Sequence, residues 1–313
     1  MLLMTKVFIV GSEGTAGLRL KERMLSRPDV ELVEISEELR KDTTEIKRLL
    51  SLSDFAFLCL PDAAAMEIAE LAKDLPVRII DASTAHRTND AWAYGFPELS
   101  EEHRKKIRNA RYVASPGCHA SGAVSIIYPL VASGVLRDGA FLSISSLTGY
   151  SGGGKKMIAD YRNPDRGFEF DSCRLYAMGQ QHKHLPEIVK QCSLKNPPAF
   201  LPIVGDYYAG MLVSIPLDSS LLNCEATPDA VRQIFIDHYS GCKMVKVSND
   251  APSAIWSGSM AGRDDMELFI SGTEGRVVVS ALFDNLGKGA SGAAIQCFNI
   301  MCELPEETGL NIS

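Results

Sequence analysis

Cys118 is the residue of this chain best placed to act as a nucleophile. It stands in Ala114-Ser115-Pro116-Gly117-Cys118-His119-Ala120-Ser121-Gly122, where Pro116 and Gly117 stop what precedes and 123–130 reads as an apolar helix. The sulfur then faces the free backbone N–H groups of a helix start, and the positive end of the dipole favours the reactive thiolate. The competing reading is a small buried residue, the usual fate of a free cysteine. Thiol catalysis needs an imidazole that is distant in sequence and paired in space. Two of only six histidines fall in Gln181-His182-Lys183-His184-Leu185-Pro186-Glu187-Ile188, and Glu187, three residues after His184, can orient that ring if the segment is helical. Metal binding is the rival reading, but no nearby cluster supplies a tetrahedral set.

Two glycine-rich stretches form a second group of candidates. Gly11-Ser12-Glu13-Gly14-Thr15-Ala16-Gly17 lies between an apolar strand and a helical pattern. Its Gly11, Gly14, Thr15, Ala16 and Gly17 suit the backbone cradle that receives a dinucleotide pyrophosphate at a helix N-terminus. Near the end of the second strand the signal is mixed. Glu34 suits the ribose 2′-hydroxyl of NAD, Arg40 and Lys41 suit the 2′-phosphate of NADP, and all three suit plain solvated surface. Cys59-Leu60-Pro61-Asp62 ends another strand at the edge where open sheets bind ligands, which puts Pro61 beside the nicotinamide, while Asp62 equally serves as a helix cap. Gly149-Tyr150-Ser151-Gly152-Gly153-Gly154-Lys155-Lys156 reads as a loop that wraps an anionic substrate or as a flexible surface turn.

The elements needed to hold these residues follow from length and pattern. A chain of 313 residues exceeds what one core usually supports, so two domains are expected. Apolar runs at 6–10, 30–35, 55–60 and 77–81 alternate with helical patterns at 17–26 and 63–73, as in a Rossmann-type doubly wound parallel sheet of the α/β class. Beyond Cys118 longer strands at 143–148, 211–216, 244–247 and 276–283 indicate an α+β catalytic domain with a mixed or antiparallel sheet. The expected division is 1–117, 118–287 and a C-terminal segment, 288–313. A net charge of -7, from 32 basic and 39 acidic residues, gives no footprint for nucleic acid or an anionic membrane and leaves a small-molecule substrate as the default. No apolar run approaches the roughly 20 residues of a membrane span, and no signal-peptide layout opens the chain, so a cytoplasmic location is expected. The eight cysteines show no C-x-x-C pair or framework, so neither zinc nor disulfides are indicated.

Taken together, these motifs resemble the N-acetyl-γ-glutamyl-phosphate reductase family, the arginine-pathway branch of the semialdehyde dehydrogenase superfamily, and within it the shorter subfamily. The resemblance spans nearly the whole chain. It is carried by 11–17, Asp81-Ala82-Ser83-Thr84-Ala85-His86-Arg87, Tyr94-Gly95-Phe96-Pro97-Glu98-Leu99, Ser115-Pro116-Gly117-Cys118, 182–187 and Lys288-Gly289-Ala290-Ser291-Gly292-Ala293-Ala294-Ile295-Gln296. Thr84, His86 and Ser115 depart from the pattern of the longer subfamily, and no role is assigned to His86. The resemblance implies reduction of an acyl phosphate to a semialdehyde with NADP(H), through a thioester on Cys118. It makes His184 the acid and base with Glu187 orienting it, and leaves His182 as runner-up and substrate contact. Arg87 and Lys155 become anion contacts. The helix starting near Gly289 is implied to return to the dinucleotide-binding domain and help cover the cofactor, and a homo-oligomer, dimer or tetramer, is implied too. Aspartate-semialdehyde dehydrogenase, a reductase of carrier-linked acyl phosphates and a non-catalytic dinucleotide sensor are the alternatives.

Overall fold

The computed structural model describes residues 4–312. They divide into two compact units: the first runs to Gly117 and resumes over 290–310, and the second takes 118–289 and the residues after 310.

In the first unit, strands β1 (Thr5–Val10), β2 (Val30–Val33), β3 (Phe55–Leu58), β4 (Arg78–Asp81), β5 (Ala93–Tyr94) and β6 (Tyr112–Ala114) form one sheet. Its order is β2-β1-β3-β4-β6-β5, and every pair is parallel. The strands read as unbroken apolar runs because both faces are covered. Val7, Ile9, Phe55, Phe57 and Ile80 point into one core, and Phe8, Val10, Ala56, Leu58 and Ile79 into the other. Helix α1 (Thr15–Leu25) covers the first face through Leu20 and Met24, while α2 (Thr43–Ser51) and α3 (Asp62–Leu71) cover the second through Ile46, Leu49, Leu50, Ala65 and Ile68. Helix α4 (Glu101–Asn109) adds Ile107 to the first face. The strand order reverses between β1 and β3, the switch point at which open α/β sheets receive ligands. Helix α2 is an addition to the sequence reading. It is set locally, by the Asp42 carboxylate accepting from Thr44 N and Glu45 N and by an ion pair between Glu45 and Arg48.

The second unit contains α5 (Cys118–Ala132), β7 (Ser143–Gly149), α6 (Gly154–Arg162), β8 (Arg174–Leu175), α7 (Leu185–Gln191), β9 (Ala199–Gly205), β10 (Met211–Asp218), α8 (Pro228–His238), β11 (Val245–Val247), β12 (Met266–Thr273) and β13 (Arg276–Phe283). Its sheet is mixed, ordered β11-β12-β13-β10-β7-β9-β8. Only β11–β12 and β7–β9 are parallel neighbours. Strand β10 alternates buried Met211, Val213, Ile215 and Leu217 with more open positions, the mark of a sheet covered on one face. Helix α5 lies close on that covered face at Gly122, where a Cβ would come within 2.4 Å of Val213 Cγ2.

After a π-turn over Gly287–Ser291, α9 (Gly292–Met301) rejoins the first unit, beginning three residues later than the sequence reading placed it. Its Ile295, Phe298 and Met301 belong to the same core as Val7, Ile9, Phe55 and Phe57. Phe298 meets Phe55 edge-on at 5.0 Å, and Arg27 donates to Asn299 Oδ1 at 2.5 Å. Among the described residues no helix is long and apolar enough to cross a membrane.

Candidate active site

Helix α5 begins at Cys118 itself, directly after Pro116-Gly117. The N–H groups of its first turn have no carbonyl one turn back within the helix, and no acidic side chain occupies that turn to compete for them. The thiol is partly exposed. Gly289 lies against it, so close that a Cβ at that position would stand 2.9 Å from Cys118 Cβ. By contrast, Cys192 is buried in the core, and burial raises its thiol far above the ordinary value, as expected of an inert core thiol; Cys59, partly exposed like Cys118, is pushed up to about 12 by burial and then by the charge of Asp81.

Three imidazoles gather within the same unit. The His119 ring lies 5.2 Å from that of His182 and 5.5 Å from that of His184, and the last two are 4.8 Å apart. His184 caps α7, and Glu187 sits in the helix's first turn, so the helical spacing expected for the pair is present and both side chains are buried. His182 Nδ1 accepts from the backbone N–H of His184 at 3.1 Å, which leaves the proton of neutral His182 on Nε2. Burial, and then the charge of Lys183, hold His182 down to about 4. His119 was not singled out from sequence. It is 3% exposed, with Nδ1 2.6 Å from Ser146 Oγ and Nε2 2.7 Å from Tyr176 Oη, and burial, then His182 and Lys183, hold it down to about 3. The available signal was a histidine on an otherwise apolar, buried helix, which must find polar partners. Among the described residues, no group of three or more His, Cys, Asp and Glu side chains is arranged to hold a metal ion.

In the first unit the phosphate loop can be tested against a dinucleotide. Gly11 has φ +86°, and a Cβ there would meet Cys59 O at 2.4 Å, while one on Gly17 would meet Gly11 O at 2.4 Å. These two glycines are demanded by the turn and by its contact with β3. At Gly14 a Cβ would have ordinary clearance, its nearest neighbour at 3.6 Å, so this glycine keeps the mouth of the loop low. Gly14 caps α1 without any side-chain hydrogen bond, no acidic residue enters the first turn, and Thr15 Oγ1 is buried without a partner. A diphosphate supplies acceptors for those N–H groups and that hydroxyl, so the loop fits the group.

Several residues occupy places the sequence did not specify. Glu34 pairs with Lys21 at 2.7 Å, and half-exposed Arg40 lies 3.5 Å from Glu37. Pro61 is the N-cap of α3, whereas Asp62 accepts from Thr84 N at 2.8 Å, tying the loop after β3 to the loop after β4 instead of capping its own helix. In that second loop Asp81 accepts from Ser83 and bonds His86 Nδ1 at 2.6 Å, with the His86 ring stacked 3.9 Å from Trp92. Arg87 is buried and donates through Nε to Ser115 O and through Nη2 to Ala82 O, both at 2.9 Å, bracing the turn that leads to Cys118. Lys155 is exposed in the first turn of α6, because 150–153 coil into a 3-10 turn and the following residues form a helix where a loop was expected. Gly289 belongs to the second unit, beside Cys118, while the helix that returns to the first unit starts beyond it.

The chain belongs to the semialdehyde dehydrogenase family: the NAD binding domain of that family matches residues 6–107 and its dimerisation domain matches 118–285. N-acetyl-gamma-glutamyl-phosphate reductase of Sinorhizobium medicae (strain WSM419) is 44% identical over 308 residues, covering 95% of this chain and 98% of the relative. N-acetyl-gamma-glutamyl-phosphate reductase 2 of Nostoc sp. (strain PCC 7120) is 41% identical over 318 residues, covering 97% and 99%. Among solved structures, aspartate semialdehyde dehydrogenase II of Vibrio cholerae superimposes with a TM-score of 0.73 over 96% of this chain and 99% of its own, at 16% identity. The aspartate semialdehyde dehydrogenase of Francisella tularensis gives 0.72 over 96% and 100%, also at 16%. At that identity the likeness is one of fold.

Proposed function

We propose that this chain reduces N-acetyl-γ-glutamyl 5-phosphate to N-acetylglutamate 5-semialdehyde, with release of inorganic phosphate, in arginine biosynthesis. The observation that carries this reading is a partly exposed thiol at the first residue of α5, in a unit that also clusters three imidazoles. The full-length relatives carrying the reductase name support the choice of substrate.

The chemistry follows from the residues. Cys118 Sγ, as thiolate, bonds to the acyl carbon, and the bond from that carbon to the phosphate oxygen breaks with the electron pair leaving on phosphate. A thioester remains. N–H groups at the start of α5 stabilise the oxyanion formed on the way. His184 gives and takes the protons, with Glu187 as its orienting partner. His182, whose Nδ1 is held by a backbone N–H, is better suited to contact substrate. A nicotinamide cofactor, when bound, supplies the hydride that brings the acyl group to the aldehyde level, and the C–S bond breaks with its electron pair returning to Cys118 as thiolate. Gly11, Gly14, Thr15, Ala16 and Gly17 hold its pyrophosphate, and Pro61 borders its nicotinamide side. NADP is the preferred form in this reading, because Glu34 is engaged by Lys21 while Arg40 stands half-exposed in the following connection. Lys155 serves as an anion contact from the first turn of α6. Arg87 acts through the cysteine turn that it braces, and Gly289 through the clearance it leaves around the thiol. The protein works as a homo-oligomer built on its second unit, in keeping with the family's description of that region as a dimerisation domain.

The test runs in the oxidative direction with NADP and phosphate, comparing N-acetylglutamate semialdehyde, glutamate semialdehyde and aspartate semialdehyde. The acetylated compound wins clearly in kcat/KM if the reading is right, because a site built for an amide leaves a free α-ammonium buried without a partner. Replacing Cys118 with Ser removes turnover by several decades while the fold is retained. Equal or better use of aspartate semialdehyde transfers the chain to the other branch of the family, and a Cys118→Ser protein above about a tenth of the original rate removes the thiol from the mechanism.

A further inference from the structure

The mechanism above leaves three hydrogen-bonded side chains beside the nucleophile unused: Ser146, His119 and Tyr176. The Ser146 side chain lies on β7, is completely buried and bonds to His119 Nδ1, its single partner among the described residues. Were Nδ1 to carry the imidazole proton, the serine hydrogen would be stranded in the core without an acceptor. Serine therefore donates to Nδ1. His119 stays neutral, so its one proton is on Nε2 and is donated to the Tyr176 oxygen at 2.7 Å. The phenol is left with its own O–H proton, directed neither to His119 nor to any other described group.

The backbone presents that phenol firmly. Tyr176 follows β8, and its N–H bonds Pro202 O at 3.0 Å. The next residue, Ala177, has φ +52°, a strained value for alanine, and Gln180 locks the segment to Phe200 through two bonds of 2.8 Å. After burial, the charge of Cys118 is the largest influence keeping Tyr176 protonated, yet the hydroxyl makes no direct hydrogen bond with the sulfur. The geometric link is His119, the residue that follows Cys118 on α5, whose Nε2 holds the phenol oxygen at 2.7 Å and so keeps Tyr176 on the side of the helix start that carries the thiol.

On the reading of Cys118 as nucleophile, we propose that Tyr176 donates a hydrogen bond to the oxygen of the acyl group carried on Cys118, and that Ser146 and His119 are positioning residues that fix the direction of that proton. Tyr176 is then an oxyanion donor made by a side chain, complementing the N–H groups of α5.

The experiment combines steady-state kinetics with the pH dependence of Cys118 alkylation by iodoacetamide in the substrate-free enzyme. Tyr176→Phe is expected to lose about a hundredfold in kcat, the usual effect of removing one such donor, with KM, NADP affinity and the alkylation profile unchanged. Ser146→Ala loses less, Ser146→Thr restores the rate, and Ser146→Ala combined with Tyr176→Phe is no slower than Tyr176→Phe alone, because serine acts only through the phenol. A Tyr176→Phe enzyme within about threefold of the original kcat, or one whose alkylation profile moves, overturns the proposal, as does additivity in the double variant. Failure of the underlying reading is separate. It appears as activity retained in Cys118→Ser, whatever Tyr176→Phe does.

Discussion

Acid should weaken this protein through His119 in particular. Its imidazole sits at about 3 instead of the ordinary 6.5, because burial, then the charges of His182 and Lys183, oppose protonation. In the unfolded chain it takes up a proton near its ordinary value, so between those limits the unfolded state binds more protons and stability falls as pH falls. Lowering the pH from about 7 to about 5 then costs about 2 kcal/mol from this residue alone, with less than about a tenth of that already lost at the starting pH. His182, held down to about 4, contributes in the same direction and is discounted for its partial exposure. The assay is a urea titration of wild type and His119→Asn at both pH values, followed by intrinsic fluorescence. The variant is weaker at neutral pH, since it loses the bonds to Ser146 and Tyr176, but its further loss on acidification is smaller by about 2 kcal/mol. Carbon-13-labelled histidine gives the direct check by NMR. If the His119 ring of the folded protein titrates above about pH 5.5, or if both proteins lose stability equally, the reasoning is wrong.

Other expectations are simpler to state. His184→Asn lowers kcat by about a hundredfold or more, whereas His182→Asn does less harm, and the reverse order would exchange the two assignments. NADP binds more tightly than NAD, and Arg40→Ala weakens NADP selectively; equal wild-type affinities, or NADP binding untouched by the substitution, count against the role of Arg40. Phe298→Ala empties a completely buried site facing Phe55 and Phe57, costing about 3–5 kcal/mol, and a thermal melt unchanged within a degree or two would show that α9 contributes little to that core.

The sequence was most legible where local chemistry and tertiary structure demand the same thing. Gly11 and Gly17 are dictated by contacts under 3 Å, so their spacing shows in the chain, and Pro116-Gly117 announces the start of α5 without outside help. Legibility failed where partners lie far away. Strand β9 carries Pro202 in its middle and reads as broken, but it is held by β7 in register from Ser143 opposite Ala199 to Gly149 opposite Gly205. The stretch of glycines before Lys155 reads as a loop because glycine is a weak helix former, yet all four glycines lie at or before the helix start, where that penalty is small. His119 escaped notice beside a more conspicuous neighbour, since its value depends on Ser146 and Tyr176, 27 and 57 residues away.

The return of α9 to the first unit has a consequence for how the chain is made. A ribosome delivers β1 to β6 early, with Phe55 and Phe57 already in place, but Phe298 and the Asn299 partner of Arg27, 272 residues downstream, arrive almost last. Throughout synthesis of the second unit one apolar face of the parallel sheet carries α1 and α4 but lacks the α9 side chains that complete its core, while 118–289 can collapse as a continuous stretch. The half of the protein that is translated first therefore finishes folding after the half translated second. A chain cut short before α9 leaves part of that sheet face open to water, and the first unit lacks a complete core.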